Sequence, residues 1–212
     1  MEPSVQAMAA MALAEVCRKN AAAQALAAKS GCITSLVEQL RASGRTQAES
    51  AALDAVKAQS VGAIWVLAEG HPENKRAIAA KGGIQPTVAQ LAGGSPLAQR
   101  HAAFALAALG FSNDDNQRNI TALLVSILST GNGEARANAT ALLWRLVEQN
   151  PTTRQDMAEA GPMAELIDLL KGRGGGGPRK YALWSLSLSI NESNHKVSVC
   201  KRERVGGGRG SD

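Results

Sequence analysis

Aromatic side chains are scarce in this 212-residue sequence: two Phe, one Tyr and three Trp, together 3%. A sheet-rich core draws on aromatic and β-branched residues, so this shortage argues against an all-β fold. Cysteine is also rare. The three thiols, Cys17, Cys32 and Cys200, form no CxxC pair, which excludes a disulfide scaffold and a zinc finger. No uninterrupted apolar run approaches the length of a bilayer span, so no membrane span is expected. The first residues carry Glu2 as their only charge, without the basic segment that precedes a signal peptide's apolar stretch. The expected compartment is the cytoplasm, with the nucleus as the alternative, because unpaired thiols suit a reducing environment.

What the sequence has is alanine, 39 residues of it, within a 45% apolar total. Alanine is the best helix former, and its small side chain lets helices approach closely. The charge is unevenly spread. Residues 1–170 hold 14 Lys+Arg against 15 Asp+Glu, whereas residues 171–212 hold 9 against 3. The net +5 therefore comes from the C-terminal stretch. Residues 200–212 read as a basic, Gly-rich flexible tail, with too little apolar surface to be buried. A weak anionic partner at this tail is one expectation. A solvated end is the preferred one, since no aromatic residue interleaves the charges as a stacking platform.

The strongest signal is a repeat. Four stripes share the spacing i, i+3, i+4, i+7: Ile33, Leu36, Val37, Leu40; then Ile84, Thr87, Val88, Leu91; then Thr121, Leu124, Val125, Leu128; then Met163, Leu166, Ile167, Leu170. Each is one face of a helix. A second apolar stripe follows each: Ala63, Ile64, Leu67; Ala105, Leu106, Leu109; Leu142, Leu143, Leu146; and Ala182, Leu183, Leu186. Ala12, Leu13, Val16 opens the chain with an earlier copy. A short helix precedes each pair, as in Asn74 to Ile78 before Gly82-Gly83. One such three-helix unit cannot cover its own apolar face, but stacked units share a continuous core. The expectation is all-α: a right-handed α-solenoid of about four three-helix repeats over residues 1–199, with a half repeat at 1–18. The spacing of the stripes places extra residues near 42–59, where the third helix should run long or follow an ordered loop. It also shortens the third unit, whose short helix should be lost or fused to the next. Val5, Met8, Met11 and Leu13 are expected to expose apolar area at the N-terminal end.

These phrases resemble the armadillo repeat family. Asn74-Lys-Arg-Ala-Ile-Ala-Ala-Lys-Gly-Gly-Ile84 is similar to its N-x-x-x-I-x-x-x-G-G/A-I phrase. Ala63-Ile-Trp-Val-Leu-Ala68 and Ala182-Leu-Trp-Ser-Leu-Ser187 are similar to its A-L-x-N-L-A phrase. The resemblance implies a protein-binding solenoid whose third helices line a concave groove. In the nuclear-import receptors of that family, groove Asn residues, with Trp four residues earlier, hold extended peptides. On this resemblance the Asn positions correspond to Glu15, Val66, Ala108, Arg145 and Ser185, and the Trp positions to Gly62, Phe104, Ala141 and Tyr181. Neither ladder is present, which disfavours import-type cargo binding.

The actual tryptophans, Trp65, Trp144 and Trp184, stand one residue before the presumed ladder. One residue is about 100° of helix rotation, which places them at the groove edge or between repeats. Tryptophan and arginine dominate binding hot spots. The candidate partner-binding residues are therefore Trp65, Phe104, Trp144, Arg145, Tyr181 and Trp184. No catalytic constellation emerges. His71, His101 and His195 fall in separate repeats without metal-ligand spacing, and His71, beside Pro72 in a loop, reads as solvated. Gly172 to Gly177 satisfies GxGxxG but follows a helix rather than a strand, so it is not a dinucleotide fingerprint. No cofactor, metal or small-molecule substrate is expected. The expected role is a non-catalytic scaffold or adaptor that binds another protein or an extended peptide. The alternative is a substrate-recruiting segment of a ubiquitin-ligase-type assembly, an analogy of fold alone.

Overall fold

The computed structural model describes residues 2–149, and beyond them Leu166, Ile167, Lys171 and Ala182. The expectations for the fourth unit's helices and for the 200–212 tail lie outside the described residues. So do Tyr181 and Trp184.

The described chain is helical throughout, with no strand. Its elements are α1 (Pro3–Cys17), α2 (Ala21–Lys29), α3 (Cys32–Arg41), α4 (Gln47–Ala68), α5 (Pro72–Ala80), α6 (Ile84–Gly93), α7 (Pro96–Gly110), α8 (Asp114–Thr130) and α9 (Gly133–Gln149). Helices α1, α4, α7 and α9 stack side by side as one layer. Helices α3, α6 and α8 stack behind them, and the short α2 and α5 bridge successive units. This is an all-α, right-handed solenoid. The first three apolar stripes explain it. Leu36, Leu40, Leu91, Leu124 and Leu128 point into one continuous core with Ile64, Leu67, Leu106, Leu109, Leu143 and Leu146. Leu166 and Ala182 are buried in the same core, whereas Ile167, expected on the same apolar stripe as Leu166, is exposed.

The departures from a regular repeat follow the stripe spacing. Helix α4 is 22 residues long, and a short loop at 42–46 leads into it. Thr46 caps its start by accepting the Glu49 N–H at 3.2 Å, while the Glu49 carboxylate reaches back to the Arg45 N–H at 2.7 Å. In the third unit the short helix and its successor run together as the 17-residue α8. Length and composition alone would let α4 cross a membrane. Its apolar residues from Val56 onward are instead largely buried, packed between α1 and α7, as befits a core helix. Small residues permit the close packing. A Cβ at Gly62 would lie 2.9 Å from the His101 Nδ1 of α7, and that nitrogen lies 2.8 Å from the Ala58 carbonyl oxygen. Val5, Met8 and Met11 are exposed on α1, together with Val16, while Leu13 packs against the core.

The same turn follows α1, α4 and α7. Arg18, Glu69 and Phe111 have φ/ψ of −60/118, −64/117 and −61/120 degrees. Lys19, Gly70 and Ser112 follow at φ 54, 68 and 54 degrees. Each turn closes on a backbone hydrogen bond: Asn20 to Cys17, His71 to Ala68 and Asn113 to Gly110. These are type II turns, whose third position demands positive φ. Asn20, His71 and Asn113 then cap the next helix by accepting the N–H three residues on. His71 therefore departs from the solvated loop residue expected of it. Its imidazole is largely buried, and Nδ1 accepts from the Asn74 N–H.

Each turn leaves the last carbonyls of a helix inside the stack, where water cannot reach them. Side chains of the short helices supply the missing donors. Asn74 Nδ2 donates to the Leu67 carbonyl at 2.9 Å and to that of Gln24 at 3.3 Å. Asn116 Nδ2 does the same to Leu109 at 3.1 Å and Lys75 at 3.4 Å. The residues after Asn74 and Asn116, and Gln24 at the matching place in the first unit, reach forward to the end of their own unit's third helix. Gln24 donates to the Val66 carbonyl at 2.7 Å and to Glu69 at 3.3 Å, Lys75 Nζ to Phe111, and Gln117 to Leu146 at 3.4 Å.

Two predictions follow from these turns. Asn116→Ala strands a buried carbonyl and should lower stability by about 1–3 kcal/mol. Asn119→Ala, at an exposed site on the same helix, should change it by less than about 0.5 kcal/mol. Equal urea midpoints for the two variants would refute the donor role. Ser112→Gly relieves a left-handed conformation and should raise thermal stability by about 1 kcal/mol; a lower melting temperature would contradict the turn assignment.

Candidate functional site

The ends of α4 and α7, and the turns that follow them, face a groove of about 500 Å³. Trp65 and Glu69 enter from α4 and its turn. Phe104, Ala107, Ala108 and Phe111 come from α7 and its turn, Lys75 from α5 and Arg145 from α9. The repeat geometry explains the convergence. Residues four apart on a helix share a face, so Trp65 and Glu69 fall together, as do Ala107 and Phe111. The first extended position of each type II turn carries a side chain to the groove end of the layer.

Aromatic surface dominates. Trp65 and Phe104 stack with centroids 4.9 Å apart and planes 25° from parallel. Phe111 is 59% exposed and Phe104 36% exposed, so part of this shelf is open to solvent. Each end of the shelf carries a cation. The Arg18 guanidinium, at the end of α1, lies 5.8 Å from the Trp65 ring centroid. Glu15 holds it there through hydrogen bonds of 2.9 and 3.3 Å. The Arg18 hydrogen bond keeps the Glu15 carboxyl below the usual carboxylate range. The Lys75 ammonium lies 5.4 Å from the Phe111 centroid while donating to the carbonyl of the same residue. Burial pulls the Lys75 ammonium below its ordinary value.

Of the six residues singled out from the sequence, the structure brings Trp65, Phe104 and Arg145 into one groove. Trp144 is half-buried on α9, and the α9 contribution to the lining is Arg145 beside it. The presumed ladder needs correction. Val66 is buried in the core at 1% exposure. The α4 residues that face the groove are Trp65 and Glu69, because one residue of register turns a side chain about 100° from the groove into the core. Sequence reasoning missed Arg18, Glu69, Lys75 and Phe111. Their signal was positional: Glu69 lies four residues after Trp65, and Arg18, Glu69 and Phe111 each stand just past the last residue of an apolar helix.

No protein-family model matches the chain, and no curated protein matches its sequence. Solved structures do match. An engineered protein aligns over 87% of this chain and 74% of its own, at 23% identity and TM-score 0.62. A designed armadillo repeat protein, in complex with the peptide (KR)4, aligns over 96% and 86%, at 18% identity and TM-score 0.60. The armadillo repeats only protein of Plasmodium falciparum aligns over 86% and 79%, at 14% identity and TM-score 0.57. The chain has the armadillo repeat fold.

The buried ammonium gives a test by pH. Lys75→Gln keeps an amide donor for the Phe111 carbonyl, as at Gln24 and Gln117, but removes the charge. Lys75 holds its proton less tightly folded than unfolded. Between its lowered folded value and its ordinary value near 10.5, the unfolded chain therefore binds more protons, and stability rises with pH. Wild type should gain stability relative to Lys75→Gln as pH climbs through this alkaline window. Parallel stability curves for the two proteins would show that Lys75 carries no such penalty.

Proposed function

We propose that this chain is a non-catalytic scaffold that binds an extended peptide, or an extended segment of a partner protein, along the groove of α4, α7 and α9. One observation carries the reading: the aromatic shelf of Trp65, Phe104 and Phe111 is partly open to solvent within a groove about 500 Å³ in volume. Aromatic side chains on a rigid helical layer bind at low entropic cost and dominate interface energetics. The groove lies on the stacked third helices, and a designed armadillo protein of this fold is seen with a peptide bound, which supports the same use here. Arg18, Glu69 and Phe111, at matching places in three units, offer no amide side chain. A ladder of asparagines holding a peptide backbone is therefore disfavoured, and with it import-type cargo binding. Recognition through side-chain anchors fits these residues better.

The test is selection from an unbiased displayed peptide library. Wild type should enrich binders, and their affinity should fall by about tenfold for Phe111→Ser, the size of a hot-spot loss. Phe111 is exposed, so its replacement leaves the core intact, which circular dichroism can check. Selected peptides that bind wild type and Phe111→Ser equally would place recognition elsewhere. A library that yields no binder would remove the peptide reading.

A further inference from the structure

We propose that the groove is occupied by its own cations, and that it therefore selects a peptide carrying carboxylates beside aromatic or large aliphatic anchors and rejects one rich in lysine and arginine. The inference rests on the groove reading above and adds the chemistry of the occupant.

An aromatic shelf attracts cations in general, because the negative face of each ring favours an ammonium or guanidinium. Here that attraction is already answered from within the chain. Arg18 approaches Trp65 from α1 while Phe104 stacks on it from α7. Two hydrogen bonds to Glu15 orient the planar guanidinium of Arg18 at the surface. Lys75 is likewise fixed over Phe111 by its bond to the Phe111 carbonyl. An incoming lysine or arginine would have to displace a hydrogen-bonded cation or sit beside it against like charge.

The charge balance points the same way. Glu69 is the one carboxylate in the lining among the described residues, and it shares that lining with Lys75 and Arg145. Arg18 adds a further positive charge at the flank, and Glu15 is already committed to it. Arg145 is exposed, and its guanidinium presents a planar fork suited to a carboxylate. The uncovered part of the shelf, Phe111 above all, remains free for apolar anchors. A peptide that alternates the two chemistries complements both.

The experiment measures binding of three synthetic eight-residue peptides to the full chain by fluorescence anisotropy: alternating Glu-Phe, alternating Ser-Phe, and (KR)4. The Glu-Phe peptide should bind about tenfold tighter than Ser-Phe, which is 1.4 kcal/mol, and (KR)4 weakest. Arg145→Glu should remove the preference for Glu-Phe. Arg18→Gln should improve (KR)4 binding about tenfold relative to Lys19→Gln. Both variants are made together with Glu15→Gln, so each loses the same charges and neither frees a carboxylate, but only the first uncovers Trp65. Equal (KR)4 affinity for those two variants would overturn self-occupancy. Wild type binding (KR)4 as tightly as Glu-Phe would overturn the selectivity while leaving the groove reading in place. Binding of none of the three would overturn the inference, and the library selection then decides the groove reading on its own.

Discussion

A stack of helices can be built only if the backbone groups at each helix end find partners inside the stack. This constraint governs the whole molecule. Every third helix stops where the next unit must begin, so its last carbonyls are enclosed by protein. Leaving one unpaired costs about 1–3 kcal/mol, a large share of any domain's stability. The chain answers with donors from the short helices. Asn74 and Asn116 close the helix just before them, and Gln24, Lys75 and Gln117 reach forward to the next. The bonds to the Gln24 and Lys75 carbonyls tie each short helix to its predecessor. The units are thus linked in polar register as well as by apolar contact, which holds an alanine-rich core to one stacking geometry.

The groove is a by-product of that solution. The type II turn that ends each third helix brings Arg18, Glu69 and Phe111 to matching positions in successive units. The turn fixes the backbone at these places, and the side chain there takes no part in closing it. One can be an arginine, one a glutamate and one a phenylalanine, with φ and ψ agreeing within a few degrees. Binding chemistry can therefore differ from unit to unit without altering the stack. Lys75 is the exception. It stands where the neighbouring units use glutamine, so a position that serves the stack also places a charge against the groove's most exposed ring.

The layers were legible because the apolar stripes are strong: Ile33 to Leu40, Ile84 to Leu91 and the Ile64 and Leu106 faces all enter the core. The long α4 and the fused α8 were legible for the same reason, since uneven spacing between stripes must be absorbed somewhere. The turns were hidden. Only Gly70 advertises a positive φ, while Lys19 and Ser112 adopt it without glycine. The donors were hidden too. Gln24, Lys75 and Gln117 share a geometric task but no residue type, and pattern reading groups residues by type. At the site, Trp65 and Phe104 were found because aromatics are rare enough to stand out. Glu69 was missed because the ladder was set three residues too early, on Val66, which packs in the core.

The same residues explain why a common fold need not imply a common ligand. An aromatic surface with vacant faces attracts cations, and a peptide such as (KR)4 brings eight of them. A surface whose faces already hold Arg18 and Lys75 has the opposite need. Both are oriented by hydrogen bonds, and Lys75 cannot leave without stripping the Phe111 carbonyl of its donor. The favourable additions are then apolar contact with the uncovered ring area and negative charge near Arg145. Affinity for either kind of peptide would draw on the same rings, so specificity is set by which side chains arrive first, those of the chain itself or those of its partner.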